Sequence, residues 1–158
     1  MRRLRLFALV SLVAVAMVGC GDSSDSADSP PDSTAADTGT VRVADSSVGK
    51  ILVDARGMTL YLFTKDSEGK SVCEAACASL WPPLMANGTA TAGKGVDGAK
   101  LSTITRPDGS SQVAYGGRPL YFYAKDTAAG QVTGQGVGGV WFAVRPDGSP
   151  ASADSTKY

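Results

Sequence analysis

Gly57-Met58-Thr59-Leu60-Tyr61-Leu62-Phe63-Thr64-Lys65-Asp66 decides the fold, because it returns sixty residues later as Gly117-Arg118-Pro119-Leu120-Tyr121-Phe122-Tyr123-Ala124-Lys125-Asp126. Gly, Leu, Tyr, an aromatic residue, Lys and Asp coincide at that offset. Val72 also maps onto Val132, and Trp81 onto Trp141. Such self-similarity at a fixed period marks two related units of about sixty residues.

Around this stretch the apolar residues alternate as in strands. Lys50-Ile51-Leu52-Val53-Asp54 leads through Ala55-Arg56-Gly57 into Thr59–Phe63, which reads as a hairpin over residues 50–64. The second unit repeats the device, with Gln112–Tyr115 meeting Pro119–Tyr123 across Gly116-Gly117. Pro-Asp-Gly turns at 107–109 and 146–148 follow Leu101–Thr105 and Val140–Val144. Helix signal is confined to Ser71–Leu80, with Ser71 and Glu74 spaced as a capping box and Pro82-Pro83 as the stop. The expected fold is a mainly β, compact antiparallel domain over residues 41–148, with one short helix. One hairpin cannot bury its own apolar face, so the two units must complete a shared core. Leu60, Leu62, Leu120, Phe122, Trp81 and Trp141 are its expected members; a sandwich and a small barrel both fit.

Both ends differ from this middle. Arg2, Arg3 and Arg5 precede an apolar run from Leu6 to Val18, too short to span a bilayer, so residues 1–19 read as a signal peptide. The run ends Met17-Val18-Gly19-Cys20, which resembles the lipobox of bacterial lipoproteins. That resemblance implies a lipidated Cys20 and an extracytoplasmic domain anchored to the cell membrane; the alternative is an ordinary secretory signal with Cys20 incidental. Residues 20–40 carry no large apolar side chain and form a flexible tether, and residues 149–158 form a disordered tail. The whole chain balances 15 basic against 15 acidic residues, and loss of the three leader arginines leaves a mildly acidic domain. That charge, with no basic cluster, argues against nucleic acid as a partner.

The chain has no histidine, which removes Ser-His-Asp and Cys-His catalysis and His-based zinc. Gly134-Gln135-Gly136-Val137-Gly138-Gly139 matches a dinucleotide fingerprint, but a β-like run follows where a helix is required, so it reads as a loop. Cys73 and Cys77 are the sharpest chemical feature. In an exported protein their spacing favours a local structural disulfide over a redox pair or a soft-metal site completed by Met58 or Met85. The repeated Tyr61/Asp66 and Tyr121/Asp126 have two readings. In one, the tyrosines pack on strands with their hydroxyls at the rim, while the aspartates bond backbone N–H groups of the following loops. In the other, each pair binds a ligand or cation, a role to which the adjacent Lys65 and Lys125 are ill suited.

Tyr61-Leu62-Phe63-Thr64-Lys65-Asp66 and Tyr121-Phe122-Tyr123-Ala124-Lys125-Asp126 fit Tyr-x-(Phe/Trp/Tyr)-x-x-Asp. They resemble the signature of predicted bacterial lipoproteins with a YX(FWY)XXD motif, also called secreted repeats of unknown function. The likeness takes in Leu52–Tyr61, the Cys73/Cys77 segment through Trp81-Pro82-Pro83-Leu84, and Val113–Tyr121. Thr133 and Val137 stand where a second cysteine pair would be. The resemblance implies export and anchoring but no reaction. The sequence therefore points to a non-enzymatic binding or envelope-interaction module with no cofactor and no metal. Its expected partner is the membrane, reached through the lipid anchor, with any ligand or protein partner unidentified; the alternative is a redox or copper-handling lipoprotein using Cys73, Cys77 and methionine.

Overall fold

A computed structural model describes residues 39–152. The expected signal peptide, Cys20, the tether up to residue 38 and residues 153–158 lie outside the described residues.

Each unit begins with an antiparallel hairpin. β1 (Thr40–Ser46) pairs with β2 (Gly49–Asp54), in a register running from Val41 opposite Asp54 to Ser46 opposite Gly49. β5 (Leu101–Thr105) pairs likewise with β6 (Ser111–Tyr115), from Leu101 opposite Tyr115 to Thr105 opposite Ser111. The turn between β5 and β6 is the expected Pro107-Asp108-Gly109. The Asp108 carboxylate accepts the Ser110 N–H at 2.9 Å, and Gly109 takes φ 82°, a conformation that Cβ disfavours elsewhere. The sister turn at Pro146-Asp147-Gly148 is built the same way.

Beyond the hairpins the two units exchange strands. β3 (Tyr61–Phe63) pairs not with β2, as the 50–64 hairpin reading expects, but with β8 (Trp141–Ala143) of the second unit. The local hairpin stops at Val53 opposite Thr59 and at the Leu60 N–H donated to the Leu52 carbonyl, 3.0 Å. It ends there because Leu52's own N–H is given to the Val144 carbonyl at 2.7 Å, and Val144 donates to Leu60 at 3.0 Å. The second unit shows the mirror arrangement. Leu120 donates to Val113, Val113 to Leu84, and Leu84 back to Leu120, at 2.8–2.9 Å. Each unit's closing segment thus completes the other unit's sheet. Tyr61 and Tyr121 mark the centre, each donating its N–H to the other's carbonyl at 2.8 and 2.9 Å. The units are related as by a twofold axis passing between these tyrosines.

Among the described residues the strands form three small sheets, in the orders β2-β1-β4, β3-β8 and β5-β6-β7. β4 is Thr91–Ala92 and β7 is Arg118–Pro119. Among the described residues no sheet closes into a barrel. Among the described residues there is one α-helix, α1, which covers only Ala76–Leu80, shorter than the Ser71–Leu80 expectation. Ser71 does not cap it: its hydroxyl oxygen is buried and occupied by Arg106, Tyr121 and the Cys73 N–H. The chain end also differs from expectation. Ser149–Ala151 belongs to the fold, with Pro150 opposite Val144 and the Ala151 N–H donated to Ala143 at 2.7 Å.

Leu60, Leu62 and Leu120 are buried with Val41, Leu52, Leu84, Val113 and Val144 in one apolar cluster. Each such side chain contributes roughly 1.5–3 kcal/mol by leaving water. Trp81 and Trp141 centre a second cluster with Tyr61, Tyr121, Tyr123 and Cys73. Phe122 is the core expectation that is only half-buried. It packs against the first cluster beside Leu120, and the Arg56 guanidinium lies 5.7 Å from its ring centroid.

Candidate functional site

The motif side chains converge at the exchange. Tyr61 and Tyr121 are fully buried, not at a rim. The Tyr61 hydroxyl donates to Asp126 at 2.5 Å, and the Tyr121 hydroxyl donates to Asp66 at 2.6 Å. Each motif's tyrosine therefore bonds the other motif's aspartate. The second carboxylate oxygen of each aspartate closes its own loop: Asp66 accepts the Val72 N–H at 2.8 Å, and Asp126 accepts the Thr133 N–H at 3.0 Å and the Thr133 hydroxyl. The loop-closing half of the expectation is what the geometry displays. The crossed phenol bond has no local signal, because a Tyr and an Asp five residues apart look equally able to pair within one unit.

Electrostatics make these pairs poor acid–base machinery. Burial, reinforced by the carboxylate it faces, pushes each phenol well above its ordinary value, so both keep their protons. Burial also raises Asp66 above the usual carboxylate range, against the lowering pull of Tyr121 and the Val72 N–H. Lys65 and Lys125 are exposed.

Four aromatic rings stack beside this crossing. Phe63 lies 4.3 Å from Trp141, Trp141 3.9 Å from Trp81 and Trp81 4.2 Å from Tyr123, with interplanar angles between 3° and 23°. Tyr61 meets Trp81 and Tyr121 meets Trp141 edge-on, at 5.5 and 5.2 Å. The aromatic third position of each motif, Phe63 and Tyr123, thereby caps one end of the column. Gly134 makes room for it: a Cβ there would fall 2.8 Å from the Tyr61 ring and 2.9 Å from the Trp81 ring. The Gly134–Gly139 segment is a loop with one short 3-10 turn at Val137–Gly139, leading into β8 and not into a helix.

Cys73 and Cys77 are bridged, with Cα atoms 5.2 Å apart. Cys73 precedes the helix and is buried, whereas Cys77 lies within it. Inside the loop Ala75 takes φ 48°, the one positive φ outside glycine among the described residues. Arg106, which sequence reasoning did not single out, braces the loop from beneath. It donates to the Cys73 carbonyl at 2.7 Å, to Ser71 at 3.0 Å and to the Gln112 side chain at 2.6 Å. An open cleft of about 570 Å³ adjoins this loop, lined by Glu74, Ala78, Ser79 and Asp108 among others. Its cation is already spent on the interior, and among the described residues no group of three or more acidic or cysteine side chains could hold a metal ion.

The fold and site define a class: a duplicated, strand-exchanged β module whose repeated motif braces the interior. The chain belongs to the family described as a secreted repeat of unknown function, which it matches twice, over residues 42–85 and 102–145, together more than half its length. No curated protein and no solved structure matches it. Among the described residues no helix is long and apolar enough to cross a membrane.

Proposed function

We propose that this protein is an exported lipoprotein, anchored through Cys20 to the outer face of the cell membrane, that binds an envelope partner and transforms no substrate. The observation that carries the reading is the fate of the motif. The two Tyr–Asp pairs, its most reactive-looking groups, are committed to holding one repeat to the other. With the interior so committed, recognition falls to the surface of a rigid body held out on a tether. The lipobox-like Met17-Val18-Gly19-Cys20 supports the anchor, and membership of a secreted family supports export. The copper-handling alternative has less support, because a bridged Cys73–Cys77 pair presents no thiolate to a soft metal.

The test is native extraction from cross-linked bacterial membranes followed by mass spectrometry. The expected product carries diacylglycerol on Cys20 and a cross-linked envelope protein, and Cys20→Ser abolishes the lipid. Unmodified protein released free into the medium refutes the anchor.

A further inference from the structure

The first unit shows what fits against its outer strand. β4 runs parallel to β1, with Thr40 opposite Thr91 and Val41 opposite Ala92. The Gly93 N–H donates to the Val41 carbonyl at 2.7 Å, the Val43 N–H to the Lys94 carbonyl at 3.0 Å, and the Thr91 N–H to Gly39 at 3.1 Å. The fit is close enough to require small residues. A Cβ on Gly93 would lie 3.0 Å from the Val41 carbonyl oxygen, and one on Gly95 would lie 3.1 Å from the Val43 Cβ.

Sixty residues on, β5 stands where β1 stands, and its outer edge is open. The Gly116 N–H donates to Lys100 and the Arg106 N–H to Ser110, which sets the phase of the β5–β6 ladder. In an antiparallel pair alternate residues bond inward. Ser102 and Ile104 therefore face β6, while Leu101, Thr103 and Thr105 turn their backbone groups outward, as Val41 and Val43 do in β1. Among the described residues nothing bonds the outward groups of Thr103 or Thr105. Ser102, Thr103 and Thr105 are exposed, and β5 contains neither the charge nor the proline that commonly blunts a free edge.

We propose that the outer edge of β5 is a docking site for an extended, small-residue segment of a second protein, added as a parallel strand in the way that residues 91–94 are added to β1. Such augmentation draws affinity from main-chain hydrogen bonds and selectivity from the side chains tolerated at the edge. A second copy of this chain fits less well. Two copies pairing β5 about a twofold axis would run antiparallel, whereas the strand added at the equivalent edge of β1 runs parallel. Ala151, near the last described residue, is held elsewhere, by Ala143 and by the Gln135 side chain. The inference rests on the binding-module reading and names the kind of partner.

The test uses the full exported chain in detergent and a synthetic peptide of residues 88–96, Gly-Thr-Ala-Thr-Ala-Gly-Lys-Gly-Val. The peptide is expected to slow amide exchange at Thr103 and Thr105 by about tenfold, a protection that reports new hydrogen bonding. A peptide N-methylated at the glycine equivalent to Gly93 should give no protection. Thr103→Pro, which deletes an outward N–H and leaves the β5–β6 bonds in place, should abolish the effect at an unchanged unfolding midpoint. Absence of slowing at saturating peptide overturns the proposal. So does protection of Thr103 and Thr105 before any peptide is added: concentration-dependent protection assigns the edge to a second copy, and concentration-independent protection assigns it to the chain's own ends. Either failure leaves the anchored-module reading standing if Cys20 is lipidated and a cross-linked partner maps to another face.

Discussion

Raising the pH through the tyrosine range should unfold this domain with a slope that counts the two crossed phenols. In the unfolded chain Tyr61 and Tyr121 ionise near pH 10. In the fold both are fully buried, each donates to a carboxylate, and both are pushed well above that value. Above about pH 10 the folded state therefore holds two protons that the unfolded state has lost, and stability falls with rising pH. Linkage gives about 1.4 kcal/mol per pH unit for each group, hence about 2.7 kcal/mol per unit for the pair. Two units cost about 5 kcal/mol, comparable to the whole stability of a small domain at about 5–15 kcal/mol. Denaturant midpoints at pH 8, 10, 11 and 12, read beside tyrosinate absorbance, measure both quantities. Tyr61→Phe or Tyr121→Phe should halve the alkaline slope while lowering stability at pH 8. If all five tyrosines ionise near pH 10 while the domain remains folded, the crossed pairs do not brace the interior as described.

Other expectations follow from the same contacts. Asp66→Asn and Asp126→Asn should each lower the unfolding free energy at pH 7 by about 1–3 kcal/mol, because each leaves buried donors badly matched; denaturant midpoints at or above wild type count against a bracing role. In double-mutant cycles Asp66→Asn should couple to Tyr121→Phe by at least about 0.5 kcal/mol and add to Tyr61→Phe, and the opposite pattern would mean the bonds are not crossed. Gly134→Ala should cost about 1–3 kcal/mol through overpacking against the Tyr61 and Trp81 rings, and a neutral midpoint would show that the column yields to a methyl group. Denatured, unreduced protein should take up no thiol label at Cys73 or Cys77, and replacing the pair by serine should cost about 2 kcal/mol in the chain-entropy model for so short a loop.

The strands were legible because alternation and turn chemistry are local. Val41–Val43, Ile51–Asp54, Leu101–Thr105 and Gln112–Tyr115 all lie where their periodicity places them. Strand partners are another matter, since alternation says that Leu60–Phe63 is a strand but not what it bonds. The 50–64 hairpin was the nearest solution in sequence, and it lost to a segment some eighty residues away that closes the ladder on Leu52 and Leu60. The helix shrank for a related reason. Ser71 looked like a cap only until Arg106 and Tyr121, both distant in sequence, took up its hydroxyl. The duplicated Tyr and Asp drew attention to the right side chains, but nothing in one linear copy says that a bond runs to the other copy. Arg106 escaped notice because its role depends on the Cys73 carbonyl, a backbone atom without a sequence signature.

The exchange of closing segments also bears on the order in which such a chain can fold. Its defining bonds span 55 and 65 residues, and Leu52 waits for the carbonyl of Val144 near the far end. Folds dominated by distant pairings form slowly, because the loops between them must close before any contact is gained. A first repeat alone has no Trp141 to stack on Trp81 and no Asp126 for Tyr61, so it cannot set into its final shape. The same holds for a second repeat without the first, which lacks Asp66 for Tyr121. Interlocking the halves thus leaves each repeat incomplete by itself, and the domain becomes rigid only once its last strand, β8, is in place.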